Sequence, residues 1–295
     1  MEKRKNLEDL TLLDRFLFAE AMDDPEIMQW VLEIILGKEV VLRDLPQTEK
    51  EMRKSPLYRY VRVDVWCQDE ENNVFDTEVQ QRNTHNLPKR SRYYQGVIDG
   101  KLLEPGIIDF NKLNPLFIIM ICPFDLFGHG KYRYSFNMQC KEIPDLELGD
   151  EATRIFLNTH GTNTDEVSPE LLELLHYMEF TNEQQSCNYR SEKIRKIKKK
   201  VESIKQNSEV SVRYMQEWEE RILDQLDAKE KGRVEGRVEG RVETLTNFLH
   251  DFGEIPHELE ERIHREKDLE TLEEWIKRAA KADSLEEFQK AIEKE

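Results

Sequence analysis

YVRVDVWCQDEENNVFDTEVQQ, residues 60–81, is the stretch from which the rest of the chain can be read. Its first arm, Tyr60 to Gln68, is rich in Val, Tyr and Trp, and its second, Val74 to Gln81, is again β-forming. Asp69-Glu70-Glu71-Asn72-Asn73 between them has the composition of a turn. Together they predict an antiparallel hairpin. Side chains on a strand alternate with a period of two, so Glu78 and Gln80 share one face, with Val63, Val65, Thr77 and Val79 expected on the other. A pairing centred on Glu71 sets Asp64 opposite Glu78. Two carboxylates on neighbouring strands are then near enough to hold one hard cation.

Hydrolysis of a phosphodiester needs an electrophile on a non-bridging oxygen and an activated water. Mg²⁺ held by Asp64, Glu78 and the backbone carbonyl of Val79 can serve both needs. Gln80 is neutral and cannot act as a general base, but it can orient the attacking water. The competing reading leaves Asp64 and Glu78 on the solvated face of an edge hairpin. Asp14, in the first helix, is a candidate outer-shell acid, with Asp9 and Glu20 as competitors and a solvated helix face as the plainer alternative. Lys89, Arg90 and Arg92 open the helix after the second strand, where guanidinium groups suit phosphate contact. Tyr93 and Tyr94 suit stacking on a splayed base or, more commonly, covering the sheet.

Outward from the hairpin, residues 10–36 read as a helix or a broken pair of helices, with the pattern restarting at Asp24-Pro25-Glu26, and residues 86–101 as an amphipathic helix. Leu116 to Cys122 is a continuous apolar run, the pattern of a strand buried on both faces. Further strands are expected at Tyr132–Met138 and Ala152–Asn158. Past Ser191 the pattern changes. Ile194, Ile197, Val201 and Ile204 form one stripe through a basic run of Arg190, Lys193, Arg195, Lys196, Lys198, Lys199 and Lys200, which contains a single acid, Glu192. That run is either a phosphate-backbone contact or a solvated helix face. The repeat Gly-Arg-Val-Glu then recurs with glycines at 232, 236 and 240. It fits equally a poorly stable helix and a flexible connector, since each glycine costs a helix about 1 kcal/mol. The expected divisions are a core at 1–190, a charged helical segment at 191–231, a repeat linker at 232–243 and an acidic helical tail at 244–295.

The net charge of -17 sets an unfavourable mean field for a polyanion, so contact with nucleic acid needs a local basic surface. Cys67, Cys122, Cys140 and Cys187 are scattered singly and read as reduced thiols rather than a zinc site or disulfide framework. His85, His129 and His160 are isolated and lack zinc spacing. No apolar signal run opens the chain, and Leu116–Cys122 is too short to span a bilayer, so a cytoplasmic protein with no membrane partner is expected.

The ordered set Leu13-Asp14-Arg15-Phe16-Leu17-Phe18, Asp24-Pro25-Glu26 with Leu36-Gly37, Arg62-Val63-Asp64-Val65, Asp76-Thr77-Glu78-Val79-Gln80 and Arg90-Ser91-Arg92-Tyr93-Tyr94 resembles the PD-(D/E)XK nuclease superfamily, in its transposase and recombination-promoting nuclease branch. The resemblance runs over roughly residues 8–245. It implies an α/β fold, a restriction-endonuclease-like core with a mixed central four-stranded sheet flanked by helices, here with a helical C-terminal extension. It also implies Mg²⁺ or Mn²⁺ on Asp64 and Glu78, Asp14 as the first-helix acid, and Gln80 where lysine usually stands. Loss of that lysine's charge implies slow turnover. The implied activity is endonucleolytic cleavage of DNA, linked to recombination or mobile elements. Lys89, Arg90, Arg92, Tyr93, Lys193, Arg195, Lys196 and Lys199 are the candidate DNA contacts, and a homodimer is the natural way to make paired cuts. The alternative is a catalytically weak or inactive nuclease-like module that binds DNA or protein, which the charged helices and acidic tail favour.

Overall fold

Asp24-Pro25 ends one helix and starts the next. Asp24 accepts hydrogen bonds from the backbone N–H groups of Glu26 and Ile27 at 3.0 and 3.4 Å, and Pro25 fills a first-turn position that needs no N–H. The two helices are α1 (Arg15–Met22) and α2 (Pro25–Leu36), the latter closed by Gly37 at φ +69°. In this computed structural model the described residues are 5–52, 61–103, 105–182 and 188–292. Expectations resting on Tyr60 and Cys187 lie outside them. The chain divides into two units, 1–215 and 216–295.

The first unit is built on β1 (Gln47–Met52), β2 (Val61–Gln68), β3 (Val74–Val79), β4 (Leu116–Cys122), β5 (Arg133–Phe136) and β6 (Ala152–Asn158), in spatial order β1-β2-β3-β4-β6-β5. β1, β2 and β3 run antiparallel in turn, β4 and β6 are parallel to β3, and β5 pairs antiparallel with β6 at the far edge. The sheet is therefore mixed, as expected, but has six described strands rather than four, because β1 and β5 extend its two edges.

Helices cover both faces. On one, α1, α2, α4 (Pro169–Glu179) and α5 (Glu192–Gln206) pack over Val65, Cys67, Phe75, Val79, Ile119, Ile121, Ile155 and Leu157. On the other, α3 (Leu87–Leu102) sets Leu87, Val97 and Ile98 against Val63, Val74, Ile118, Met120 and Phe156. Leu116–Cys122 feeds both cores by alternation, which explains its unbroken apolar character. Helix α4 has no counterpart among the expected elements, although Leu171, Leu174, Leu175 and Met178 are among its buried residues and recur at helical spacing. Cys67 and Cys122 are buried free thiols, and burial pushes Cys122 up to about 12. Cys140 is half-buried and also free.

The Gly-Arg-Val-Glu repeat is helical. It lies within α6 (Ser208–His250), a single helix that begins in the first unit and continues into the second. The second unit packs the end of α6 with α7 (His257–Arg265), α8 (Leu269–Ala279) and α9 (Leu285–Ile292) around Leu245, Leu249, Leu259, Ile263, Leu272, Trp275 and Phe288. Among the described residues, no helix is long and apolar enough to cross a membrane.

Candidate active site

β2 and β3 pair through Val65–Thr77, Trp66–Asp76, Cys67–Phe75 and Gln68–Val74, the register centred on Glu71. One step further along, Asp64 faces Glu78, and there side chains take over from the ladder. The Asp64 backbone N–H donates to Glu78 Oε1 at 2.8 Å, and the Val79 N–H donates to Asp64 Oδ2 at 3.2 Å. Each carboxylate thus satisfies a backbone donor on the opposite strand and is fixed by it.

Strict alternation fails at this point. Val65 and Cys67 belong to the core under α1 and α2, whereas Val61 and Val63 belong to the core under α3, so β2 changes faces at Asp64. The expectation that Val63 and Val65 share a face is corrected accordingly. The partner strand shows the same break: Thr48–Val65 and Lys50–Val63 are paired across β1 and β2, but Glu49, opposite Asp64, has φ +52° and drops out of the ladder. A break of this kind lets the carboxylate pair be reached from both sides of the sheet, Asp64 from one and Glu78 from the other.

Two arginines use that access. Arg15, the first residue of α1, places Nε 2.9 Å from Asp64 Oδ1 and 2.8 Å from Glu49 Oε1, as an ion pair rather than an aligned hydrogen bond. From the opposite face, Arg90 of α3 donates from one terminal nitrogen to Glu78 Oε2 at 2.9 Å and from the other to Gln80 Oε1 at 2.8 Å. The Tyr94 ring lies 5.3 Å from that guanidinium. Gln80, one residue past β3, donates in turn to the Arg82 carbonyl at 2.8 Å, and its own N–H is held by the Ile121 carbonyl.

The carboxylates lie deep: Asp64 is 4% exposed, Glu78 1% and Asp76 0%. Burial, and then the charge of Asp64, push the Glu78 carboxyl up to about 7 despite Arg90. Burial also raises Asp64, against the pull of Arg15. Asp76, two residues before Glu78 on β3, is driven well above the usual carboxylate range by burial and by the charges of Glu78 and Asp64. Neither of its oxygens has a hydrogen-bond partner. Burial, and the repulsion among three neighbouring carboxyls, thus outweigh the two arginines and favour the protonated acids.

The donor set suits a hard divalent cation: two anionic oxygen ligands on adjacent strands, beside a strand end that offers backbone carbonyls. Three crowded, buried carboxyls point the same way, since a divalent cation would relieve the repulsion of their ionised forms. The fit is that of a two-carboxylate site, since no group of three His, Cys, Asp or Glu among the described residues is arranged to hold a metal. Other ligand positions would fall to carbonyl, water and phosphate oxygens.

The other candidates fall in several places. Asp14 stands at the N-cap position of α1, but its carboxylate turns away from the helix, accepting from the Thr11 N–H at 2.9 Å and from Gln81 Nε2 at 3.0 Å. It touches the strand end through Gln81, while its neighbour Arg15 reaches Asp64. Lys89, Arg92 and Tyr93 are exposed on α3. The basic run on α5 is largely engaged: Lys193 pairs with Glu33 at 2.9 Å, Lys196 with Glu192 at 2.8 Å, and Lys200 with Asp24 and Glu26 at 2.6 Å each. Arg195 is exposed, with Nε directed at the Ser191 carbonyl, and Lys199 is exposed. Lys193 and Lys200 fasten α5 to α2. Arg15 and Glu49 were not foreseen as site residues. Arg15 sits inside the quoted first-helix motif, but nothing local in the sequence pairs Glu49 with it.

A mixed six-stranded sheet covered on both faces, interrupted where Asp64 meets Glu78, is the architecture of a restriction-endonuclease-like α/β protein. The chain belongs to the PD-(D/E)XK nuclease family transposases, whose family model it matches over residues 14–232. No curated protein and no solved structure matches it.

Proposed function

We propose that this protein is a divalent-metal-dependent endonuclease that hydrolyses phosphodiester bonds in DNA. The observation that carries the reading is the convergence of Asp64 and Glu78 at a break in the β2–β3 ladder, each locked by a backbone N–H of the other strand. Asp64, Glu78 and the Val79 carbonyl would hold Mg²⁺ or Mn²⁺, which supplies Lewis acidity and a water of lowered pKa. The chain's own groups do the rest. Gln80, oriented by Arg90 and the Arg82 carbonyl, presents an amide able to position a water.

Arg90 also supplies a cation beside Gln80, at the register position where the family motif has lysine. Charge developing on the phosphate is then countered from α3 rather than from β3. Arg15 performs the corresponding holding role on Asp64. Lys89 and Arg92, exposed on the same helix as Arg90, are the nearest candidates in sequence to grip the flanking backbone, and Tyr93 is available to stack on a base. The engaged lysines of α5 are weaker candidates for that task.

The test is cleavage of supercoiled, linear and single-stranded DNA by the full chain with Mg²⁺, Mn²⁺ or EDTA. Metal-dependent nicking is expected. Tight DNA binding with no cleavage under any divalent ion would instead favour a module that keeps the nuclease shape without its chemistry.

Stability should report on the same carboxylates without metal. Glu78 has a folded-state pKa of about 7, above its unfolded value of about 4.3. The folded state therefore binds the extra proton, and this stability is present below the unfolded pKa and lost as pH rises through about 7. In EDTA, thermal unfolding should show a smaller loss of Tm between pH 5 and pH 8 for Glu78→Gln than for wild type. Equal slopes for the two proteins would contradict the buried, charge-crowded Glu78.

A further inference from the structure

Helix α6 carries an apolar stripe that belongs to neither core. At about 100° per residue, Val212, Met215, Ile222 and Leu226 fall along one side of the helix, with Leu223 at its margin. Val210 and Tyr214, buried in the first unit, lie on a different side, as do Val238, Val242, Leu245 and Leu249, buried in the second. Leu223 is 62% exposed and Leu226 45%. Spacings of three and four run on through the stripe as Val212, Met215, Glu219, Ile222, Leu226, Lys229 and Arg233, the seam of a two-helix coiled coil.

The charges within this seam select the partner and its direction. Alignment with a parallel copy would stack Glu219 on Glu219 and Lys229 on Lys229. An antiparallel copy, turned about an axis beside Asp224, sets Ile222 against Leu226, Glu219 against Lys229 and Met215 against Arg233. Between Met215 and Arg233 each apolar residue of the seam then meets an apolar residue or an aliphatic stem, and the acid meets a base. Leu223 meets its own counterpart close to the axis. The bulky Trp218 ring faces the other copy's Gly232, where the space beside the glycine is open.

We propose that α6 is the self-association surface of this protein, pairing antiparallel with α6 of a second copy through Met215–Arg233. The mass of the full chain is measured by sedimentation across a concentration series, with DNA and metal absent, so the outcome is independent of any nuclease activity. Wild type is expected to dimerise. Glu219→Lys and Lys229→Glu should each raise the dimer dissociation constant at least about tenfold, and the double variant should restore it. Leu223→Cys should oxidise to a covalent dimer that wild type does not form.

Because these positions are exposed, the variants should keep the wild-type circular dichroism spectrum and Tm. A wild type that stays monomeric at every concentration overturns the proposal. So does a dimer indifferent to both charge reversals, which is the parallel outcome, or a double variant as weak as either single one.

Discussion

Glu78→Gln is expected to lower metal-dependent nicking of supercoiled DNA by at least about 10³-fold, and Asp64→Asn by a similar factor. Each substitution keeps the shape and removes the anionic oxygen that a divalent ion needs. Glu78→Gln retains an oxygen for the Asp64 N–H, and Asp64→Asn retains one for the Val79 N–H, so the strand junction can persist. The stability of Glu78→Gln should move opposite to its activity. Removing a carboxylate that burial and Asp64 push up to about 7 relieves repulsion, so its Tm in EDTA at pH 8 should equal or exceed that of wild type. A variant that is at least as well folded yet inactive cannot be explained by unfolding. Wild-type nicking rates in both variants would remove Asp64 and Glu78 from the chemistry.

Arg90 gives the second large effect. Its two terminal nitrogens span Glu78 Oε2 and Gln80 Oε1, so Arg90→Ala removes both the cation beside Gln80 and the group that aims it. Cleavage should fall by about 10²-fold or more, the usual consequence of losing one preorganised charge stabiliser. Metal affinity should rise, because a cation that competes for the Glu78 carboxylate has gone, and Mn²⁺ titration calorimetry reads this directly. Arg90→Lys should recover little, since an ammonium cannot bridge two acceptors as the planar guanidinium does.

The decisive variant is Arg90→Ala combined with Gln80→Lys. It returns a positive charge to the end of β3 and should recover a substantial part of the rate. A purely structural role for Arg90 would give no recovery from a charge placed on another element. It would also give no opposed change in metal binding and rate.

Much of the scaffold was legible because it follows from local pattern. The Asp24-Pro25 start of α2 rests on a cap and a proline whose effects reach only a few residues. Leu116–Cys122 was readable as an inner strand because seven consecutive apolar residues need cover on both faces. The hairpin register followed from a turn centred on Glu71, which alone sets Asp64 opposite Glu78. The glycine repeat was ambiguous because helix cost and helix spacing oppose each other there, and the packing of Val238 and Val242 into the second unit accompanies its helical state.

The sequence by itself thus determined the pair of carboxylates, their strands and their register, since alternation and turn position act over neighbouring residues. Only the tertiary structure decided what surrounds them. Arg15 comes from 49 residues before Asp64, and Arg90 from a helix on the opposite face. It also turned Lys193 and Lys200 of α5 toward Glu33, Asp24 and Glu26, so part of a run that reads as a phosphate surface serves as a fastening. Charge is visible residue by residue in a sequence. Its use depends on which opposite charge the fold brings within a few ångströms, and Coulomb energy at that range depends on proximity and burial that no local pattern encodes.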